Sequence, residues 1–392
     1  MNERLSNFIA LARWVAAAMV LLGHVASFIQ IPDIMVAPHG PGVYAWWFLT
    51  AFSHQAVLVF FVISGFLVGG DVLRKRARTE PFLRAYMTNR FSRIYIVMVP
   101  TLLYGFVLDR IGRELFPHSG IYDAPFFEGV YNPMNTVWAL FQQQTIWTTQ
   151  AGTNGPLWSL ACEMWYYATF PLLLLPFSGA YSRNVKIAGF CLGAGAAVAM
   201  SIPKSPFLFG YGVWVLGAFL RVAPRPAIKS VLASLALFLA TIAIVRLAAR
   251  GPLVEAHPFV STAGDMATAA SFANLLLALR FAPPQGLFAN IGSIHTRFSD
   301  FSYSLYATHA PLVFFVWAGA CALVSTDFHR QSPTPLHWIL GLALIFVAIA
   351  FAYGFSRLTE ARTPALRDYL SRALPGAARA PATLSPAKLE RA

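Results

Sequence analysis

Charge is scarce in this chain, and acidic charge is the scarcer sign: 11% of its 392 residues are charged, and only 16 are Asp or Glu. With 57% hydrophobic residues beside so few charges, the composition excludes an ordinary water-soluble globule and reads as a polytopic membrane protein. Cysteine is nearly absent. Cys162, Cys191 and Cys321 all fall in apolar stretches at no metal-type spacing, so neither a disulfide framework nor a zinc site is expected, and no metal is predicted. The first apolar stretch lacks a clean small-residue cleavage site, which argues against a removable signal peptide. No internal repeat and no separate soluble domain are visible.

What the chain does have is long hydrophobic runs. They read as ten spans, at about 8–30, 44–70, 91–112, 156–177, 187–202, 207–222, 229–248, 260–280, 300–323 and 337–356. The predicted fold is therefore all-α, a membrane-embedded helical bundle. The net charge of +13 fits that architecture once its distribution is considered. Alternating the spans from a cytoplasmic N-terminus puts 22 Lys and Arg on the inner side and six on the outer side, with Arg13 inside the first span. This bias sets both termini in the cytoplasm and needs no nucleic-acid partner. Basic clusters at the inner surface would instead meet the anionic headgroups of the lipid bilayer. A membrane domain over residues 1–362 and a basic cytoplasmic tail over 363–392 follow, the tail disordered from about Pro375.

Arg13 and His24 stand out within the first span, because an ionisable group at membrane depth is costly and marks a functional site by default. Their separation of eleven residues overshoots three helical turns by only about 20°, so both share one face, roughly 16 Å apart along the axis. A cation near one surface thus looks toward an imidazole well inside the bilayer, an arrangement suited to an anionic donor at one end and chemistry at the other. The bland reading is a snorkelling Arg and a packed His.

Arg90 and Arg93 lie three apart at the expected start of the third span, where two guanidiniums on one face can clamp phosphates. The run Arg74, Lys75, Arg76 and Arg78 needs no more than the positive-inside rule. Ser64 and Gly65 end the second span's apolar core, and their small size admits a neighbouring backbone or an extended ligand. His54, earlier in that span, is a candidate pocket residue. The outer segment between Arg113 and Gly155, with its short run Thr136–Trp147, reads either as re-entrant or as a plain loop at the interface.

Glu163 lies roughly 10 Å below the expected outer start of the fourth span, and His24 roughly 24 Å above the inner start of the first. In a core about 30 Å thick those depths overlap, so a His24–Glu163 pair is expected, the carboxylate supporting the imidazole.

Taken together, Arg13-x10-His24, Phe60-Phe61-Val62-Ile63-Ser64-Gly65-Phe66-Leu67, Arg90-Phe91-Ser92-Arg93-Ile94-Tyr95, Trp158-Ser159-Leu160-x-x-Glu163, Phe301-Ser302-Tyr303-Ser304-Leu305-Tyr306-x-x-His309 and Leu358-Thr359-Glu360 resemble the acyltransferase 3 family of integral membrane O-acyltransferases. The resemblance runs in the family's order from residue 8 to about 362. It implies a ten-helix bundle of a bacterial inner membrane that takes acyl groups, usually acetyl from acetyl-CoA, at the cytoplasmic face. The acceptor it implies is a hydroxyl of a cell-envelope or exported carbohydrate or glycolipid. It also implies an essential histidine in the first motif and arginines that hold the CoA. One departure is Leu58-Val59, where many members carry an acidic residue or proline before the Phe-Phe.

On this reading His24 is the general base and Glu163 its partner, while Arg13, Arg90, Arg93, Ser64 and Gly65 bind acyl-CoA. Trp158, Ser159, Tyr303, His54 and His309 are pocket candidates, His309 as a lining residue before a catalytic one. Acyl-CoA is a co-substrate, and no permanently bound cofactor is expected. Direct transfer and an acyl-histidine step both remain open, as does the oligomeric state. The alternative is a transporter or flippase of a glycan or lipid-linked substrate; paired broken helices in inverted repeats would mark it, and none are visible.

Overall fold

The computed structural model describes residues 2–28, 39–77, 79–203, 205–248, 257, 259–326, 328 and 333–373, and among these its regular elements are all helices, with no strand. Helix α1 (Glu3–Phe28) is followed by α2 (Pro41–Leu49), α3 (Ser53–Ser64), a π-helical turn over Gly65–Gly69, and α4 (Gly70–Lys75). Next come α5 (Leu83–Leu115), the short α6 (Pro133–Leu140), α7 (Trp158–Leu173), α8 (Arg183–Ser201), α9 (Phe207–Phe219) and α10 (Val231–Ala248). The chain continues through α11 (Phe259–Phe281), α12 (Gly292–Ser299), α13 (Ser302–Leu323), α14 (Pro335–Leu358) and α15 (Thr363–Ala373).

Among the described residues, seven helical runs are long and apolar enough to cross a membrane: Glu3–Ala26, Pro41–Lys75, Leu83–Leu115, Arg183–Ser201, Val231–Ala248, Ser302–Leu323 and Pro335–Ala373. The other three expected spans also coincide with helices but fall short of that standard. Helix α7 has 16 residues and α9 has 13, too few to cross about 30 Å at 1.5 Å per residue. Helix α11 has the length, yet Gly, Ser, Thr and Asp265 dilute its hydropathy. Of the tail expected from residue 363, α15 is a helix that packs against α5. The segment expected to be disordered, along with Arg78, Lys204, Arg250 and Arg330, lies outside the described residues.

Small residues set the closest helix contacts. A Cβ on Gly65 would lie 1.9 Å from the carbonyl oxygen of Trp214, and one on Gly217 would lie 2.3 Å from that of Val62. Each helix therefore presents a glycine to the other's backbone, the close approach that membrane helices use where apolar burial from water is absent. Trp214, fully buried, fills the space beside the crossing and donates its indole N–H to Ser64 Oγ at 3.0 Å. Helices α1 and α3 are clamped in the same way: a Cβ on Gly23 would strike Ser53 Oγ, and that hydroxyl donates to Met19 O at 3.2 Å.

The segment between α5 and α7 enters the bundle. Gln142, Gln144, Thr153 and Asn154 are all buried. Asp109 on α5 receives the Thr153 N–H at 2.8 Å and its hydroxyl at 2.6 Å, while the Asn154 amide donates to Ala307 O on α13 at 3.0 Å. Buried polar backbone requires such partners, and the last part of the segment is packed among the helices while Phe126, Trp138 and Phe141 remain exposed. As a result α7 begins among neighbouring helices inside the protein.

Candidate active site

Two cavities among the described residues hold the candidate side chains. The first, about 370 Å³, is lined by Arg13 of α1, Ser64 of α3, Arg90 and Arg93 of α5, Glu163 of α7 and Tyr303 of α13, among others. Three cations thus converge from two helices. Arg13 donates to Ser302 Oγ at 3.4 Å. Arg93 lies 4.0 Å from Glu360, whose other oxygen accepts from the Ser304 N–H at 3.2 Å and its hydroxyl at 3.0 Å. The guanidinium of Arg90 lies 5.9 Å from the ring centres of both Tyr86 and Tyr167, and its Nε is buried with no hydrogen-bond partner among the described residues. An orphaned guanidinium N–H inside a cationic cavity is a ready site for an anion's oxygen.

Glu163 is held by a relay in the same cavity. Tyr167 donates to Glu163 Oε1 at 2.7 Å, Ser64 Oγ sits 2.9 Å from that phenol oxygen, and Trp214 donates to Ser64. Each hydroxyl has one proton to give, so the chain runs Trp214 to Ser64 to Tyr167 to the carboxylate.

The second cavity, about 970 Å³, is lined by His24, His54, His118, Asp123, Gln150 and Trp158, among others. His24 Nδ1 lies 2.9 Å from Val20 O and 3.2 Å from His309 Nε2, and His309 Nδ1 lies 3.1 Å from Leu305 O. A carbonyl only accepts, so Nδ1 of His309 carries the proton and its Nε2 presents a lone pair to the Nδ1–H of His24. That leaves Nε2 of His24 as the basic nitrogen, with no hydrogen-bond partner among the described residues. The second histidine, His54, donates Nε2–H to Asp265 Oδ2 at 2.7 Å.

Tyr306 lines both cavities. Its hydroxyl donates to Pro156 O at 2.7 Å and accepts from Ser159 Oγ at 2.6 Å, tying α13 to the buried start of α7. Ser159 and Tyr303 line the arginine cavity, and Trp158 the histidine cavity.

Three expectations are corrected. The expected His24–Glu163 pair is not formed: the ring partner of His24 is His309, and Glu163 belongs to the arginine cavity. The expectation compared only positions along two helix axes, whereas the packing of the bundle lines different cavities with the two residues. Gly65 faces the backbone of α9 and does not line the cavity, though Ser64 beside it does. Arg90 and Arg93 lie two turns inside α5, not at its start, because the helix begins at Leu83, where the Tyr181 hydroxyl accepts the N–H groups of Phe82 and Leu83 at 2.8 Å each. Sequence reasoning also passed over Tyr167 and Asp265. Asp265 carried a readable signal, an acidic residue within an apolar helix; Tyr167 carried only its position one turn after Glu163.

Apolar helices enclosing converged arginines on one side of a tyrosine wall and an uncommitted imidazole nitrogen on the other place this chain among integral membrane proteins with a buried, charged functional site. A family model described as an acyltransferase domain, that of the acyltransferase 3 family, matches residues 6–357. The chain belongs to that family and is an acyltransferase. It is 28% identical to the acyltransferase MdmB of Streptomyces mycarofaciens over 97% of this chain and 96% of that protein. It is 29% identical to an O-acetyl transferase of Shigella phage Sf6 over 41% of this chain and 44% of that one. A nodulation protein 10 of Rhizobium leguminosarum bv. viciae is 26% identical over 43% and 44% of the two chains. No solved structure matches the chain.

Proposed function

We propose that this protein transfers an acyl group, acetyl by default, from acyl-CoA to a hydroxyl of a carbohydrate or glycolipid of the cell envelope. The observation that carries this reading is the pair of cavities meeting at Tyr306, cationic on one side and bearing the free nitrogen of His24 on the other. On this reading the chain lies in a bacterial inner membrane with both termini in the cytoplasm, and the arginine cavity opens toward the cytoplasm.

Arg13, Arg90 and Arg93 then hold the donor's phosphates, and the orphaned Nε of Arg90 takes one of their oxygens. The pantetheine arm runs past Ser64 toward Tyr306 and brings the thioester to the wall. On the far side His24 Nε2 accepts the proton of the acceptor hydroxyl as its oxygen attacks the thioester carbon. The new C–O bond forms, the C–S bond breaks, and the CoA thiolate recovers the proton from the imidazolium. His309 holds the Nδ1–H tautomer that leaves Nε2 free for this step. Glu163, relieved of the role of direct partner, orders the Tyr167–Ser64 relay beside the donor's path. The relative described as an O-acetyl transferase supports acetyl and oxygen as donor group and acceptor atom.

The test uses membranes from cells that make the protein, supplied with acetyl-CoA labelled in the acetyl group. Alkali-labile label should accumulate on envelope glycan with the wild type and not with His24→Ala. Equal incorporation by both would remove His24 from the chemistry, and none by either would remove acetyl-CoA or the glycan from the reaction.

A further inference from the structure

We propose that His54, held by Asp265, is a second contact for the acceptor, and that the acceptor therefore presents two hydroxyl groups from one molecule, one acylated and one bound. This rests on the acyl-transfer reading above, keeps its carbohydrate acceptor, and adds the residue pair that would hold a second hydroxyl of it.

Both histidines line the same cavity, and the fold ties them together. Gly23 and Ser53 form the close contact between α1 and α3, locked by the Ser53–Met19 hydrogen bond, and His24 and His54 are the next residues along each chain. Each ring has one nitrogen committed inward: Nδ1 of His24 to Val20 and His309, Nε2 of His54 to Asp265. Each has its other nitrogen without a hydrogen-bond partner among the described residues. Asp265 is a carboxylate within an apolar helix, 13% exposed at its side chain, and His54 meets its need for a donor. Its grip fixes the His54 ring plane and hence the direction of Nδ1. A hydroxyl both donates and accepts, so it bonds Nδ1 in either protonation state of the ring.

The His54 side chain is 56% exposed, so its free Nδ1 is accessible to a second hydroxyl of an acceptor held on His24. A sugar ring with a second hydroxyl satisfies both, and the wide cavity and the indole of Trp158 leave room for its apolar face. His54 thereby orients the reacting hydroxyl on His24, the positional control that acyl transfer to one hydroxyl among several requires.

The experiment follows labelled acetyl transfer in the same membranes with His54→Phe, His54→Gln and Asp265→Asn. His54→Phe should lower the transfer rate about 10-fold or more with the acetyl-CoA concentration for half-maximal rate unchanged, which also reports an intact donor site. His54→Gln, which restores a polar atom, should fall between Phe and wild type, and Asp265→Asn should lose rate in the same manner. Treating the labelled product with deuterated acetic anhydride should add at least one deuterated acetyl to the unit bearing the label. Wild-type rates in His54→Phe, equal losses in Phe and Gln, or a labelled unit with no further hydroxyl would overturn the proposal while leaving acyl transfer standing. No label in the wild type would overturn the acyl-transfer reading itself, and this inference with it.

Discussion

His309 presents Nε2 to Nδ1 of His24 at 3.2 Å while its own Nδ1 is tied to Leu305 O. The contact gives His24 Nδ1–H an acceptor, as an acidic partner would, but without that partner's negative charge. Replacing His309 by Ala leaves Val20 O as the remaining acceptor for His24 Nδ1 and frees the ring to rotate. We expect acyl transfer to fall about 10- to 100-fold, below the ~10²- to 10⁴-fold loss for His24→Ala that general-base catalysis implies. Initial rates at saturating acetyl-CoA measure this, and an unchanged rate in His309→Ala would remove the tautomer argument.

The arginine cavity predicts a different signature. Arg90→Ala and Arg93→Ala should each weaken acetyl-CoA binding by about 1.5–3 kcal/mol, the range for a hydrogen bond to a charged group, or roughly 10- to 150-fold. Arg93→Ala also removes one of the two arginines that face Glu360, so it should lower thermal stability where Arg90→Ala does not. Calorimetric titration of CoA into protein in lipid nanodiscs separates the two effects. Full-strength binding by the double variant would place the donor elsewhere.

Tyr306 divides the two cavities through hydrogen bonds to Pro156 and Ser159. Tyr306→Phe keeps the ring and should cost about 1 kcal/mol of stability for the lost hydroxyl, with little change in transfer. Tyr306→Ala opens the wall and should raise acetyl-CoA hydrolysis in the absence of acceptor, read as thiol released per minute. If hydrolysis by the Ala variant stays at the wild-type level, the tyrosine is not what keeps water from the thioester.

The crossing of α3 and α9 has no room for a methyl group at Gly65 or Gly217. Gly65→Ala should destabilise the protein by about 1–3 kcal/mol or more, the cost of overpacking a close-packed contact. Gly195→Ala, at a position with open space around it, should leave the melting temperature in detergent unaltered. Similar melting temperatures for the two variants would show that the helices can part without loss.

Much of the site was legible because the first helix is regular. Arg13 and His24 share a face by arithmetic alone, and the structure puts one in each cavity. Arg90 and Arg93, singled out by their spacing, line the arginine cavity, and the helix that carries them starts about two turns before its apolar run. The pairing of His24 was not legible, because it depends on how α1, α7 and α13 pack against one another. The start of α7 is held by hydrogen bonds of Asp109 to Thr153 and of Asn154 to Ala307, which join positions 44 and 153 residues apart. Hydropathy along a chain records which residues avoid water, not where a buried turn stops.

By itself, then, the sequence determined a membrane-embedded helical protein, the acyltransferase 3 motifs, and the residue types that bear charge within its helices, because apolar run length and helical period are local properties. Tertiary structure decided the partners: His309 for His24, Asp265 for His54, Tyr167 for Glu163, and Glu360 for Arg93. A side chain of fixed reach bonds whatever the packing of neighbouring helices brings within about 3 Å, and for three of these four pairs the packing joins helices far apart in sequence.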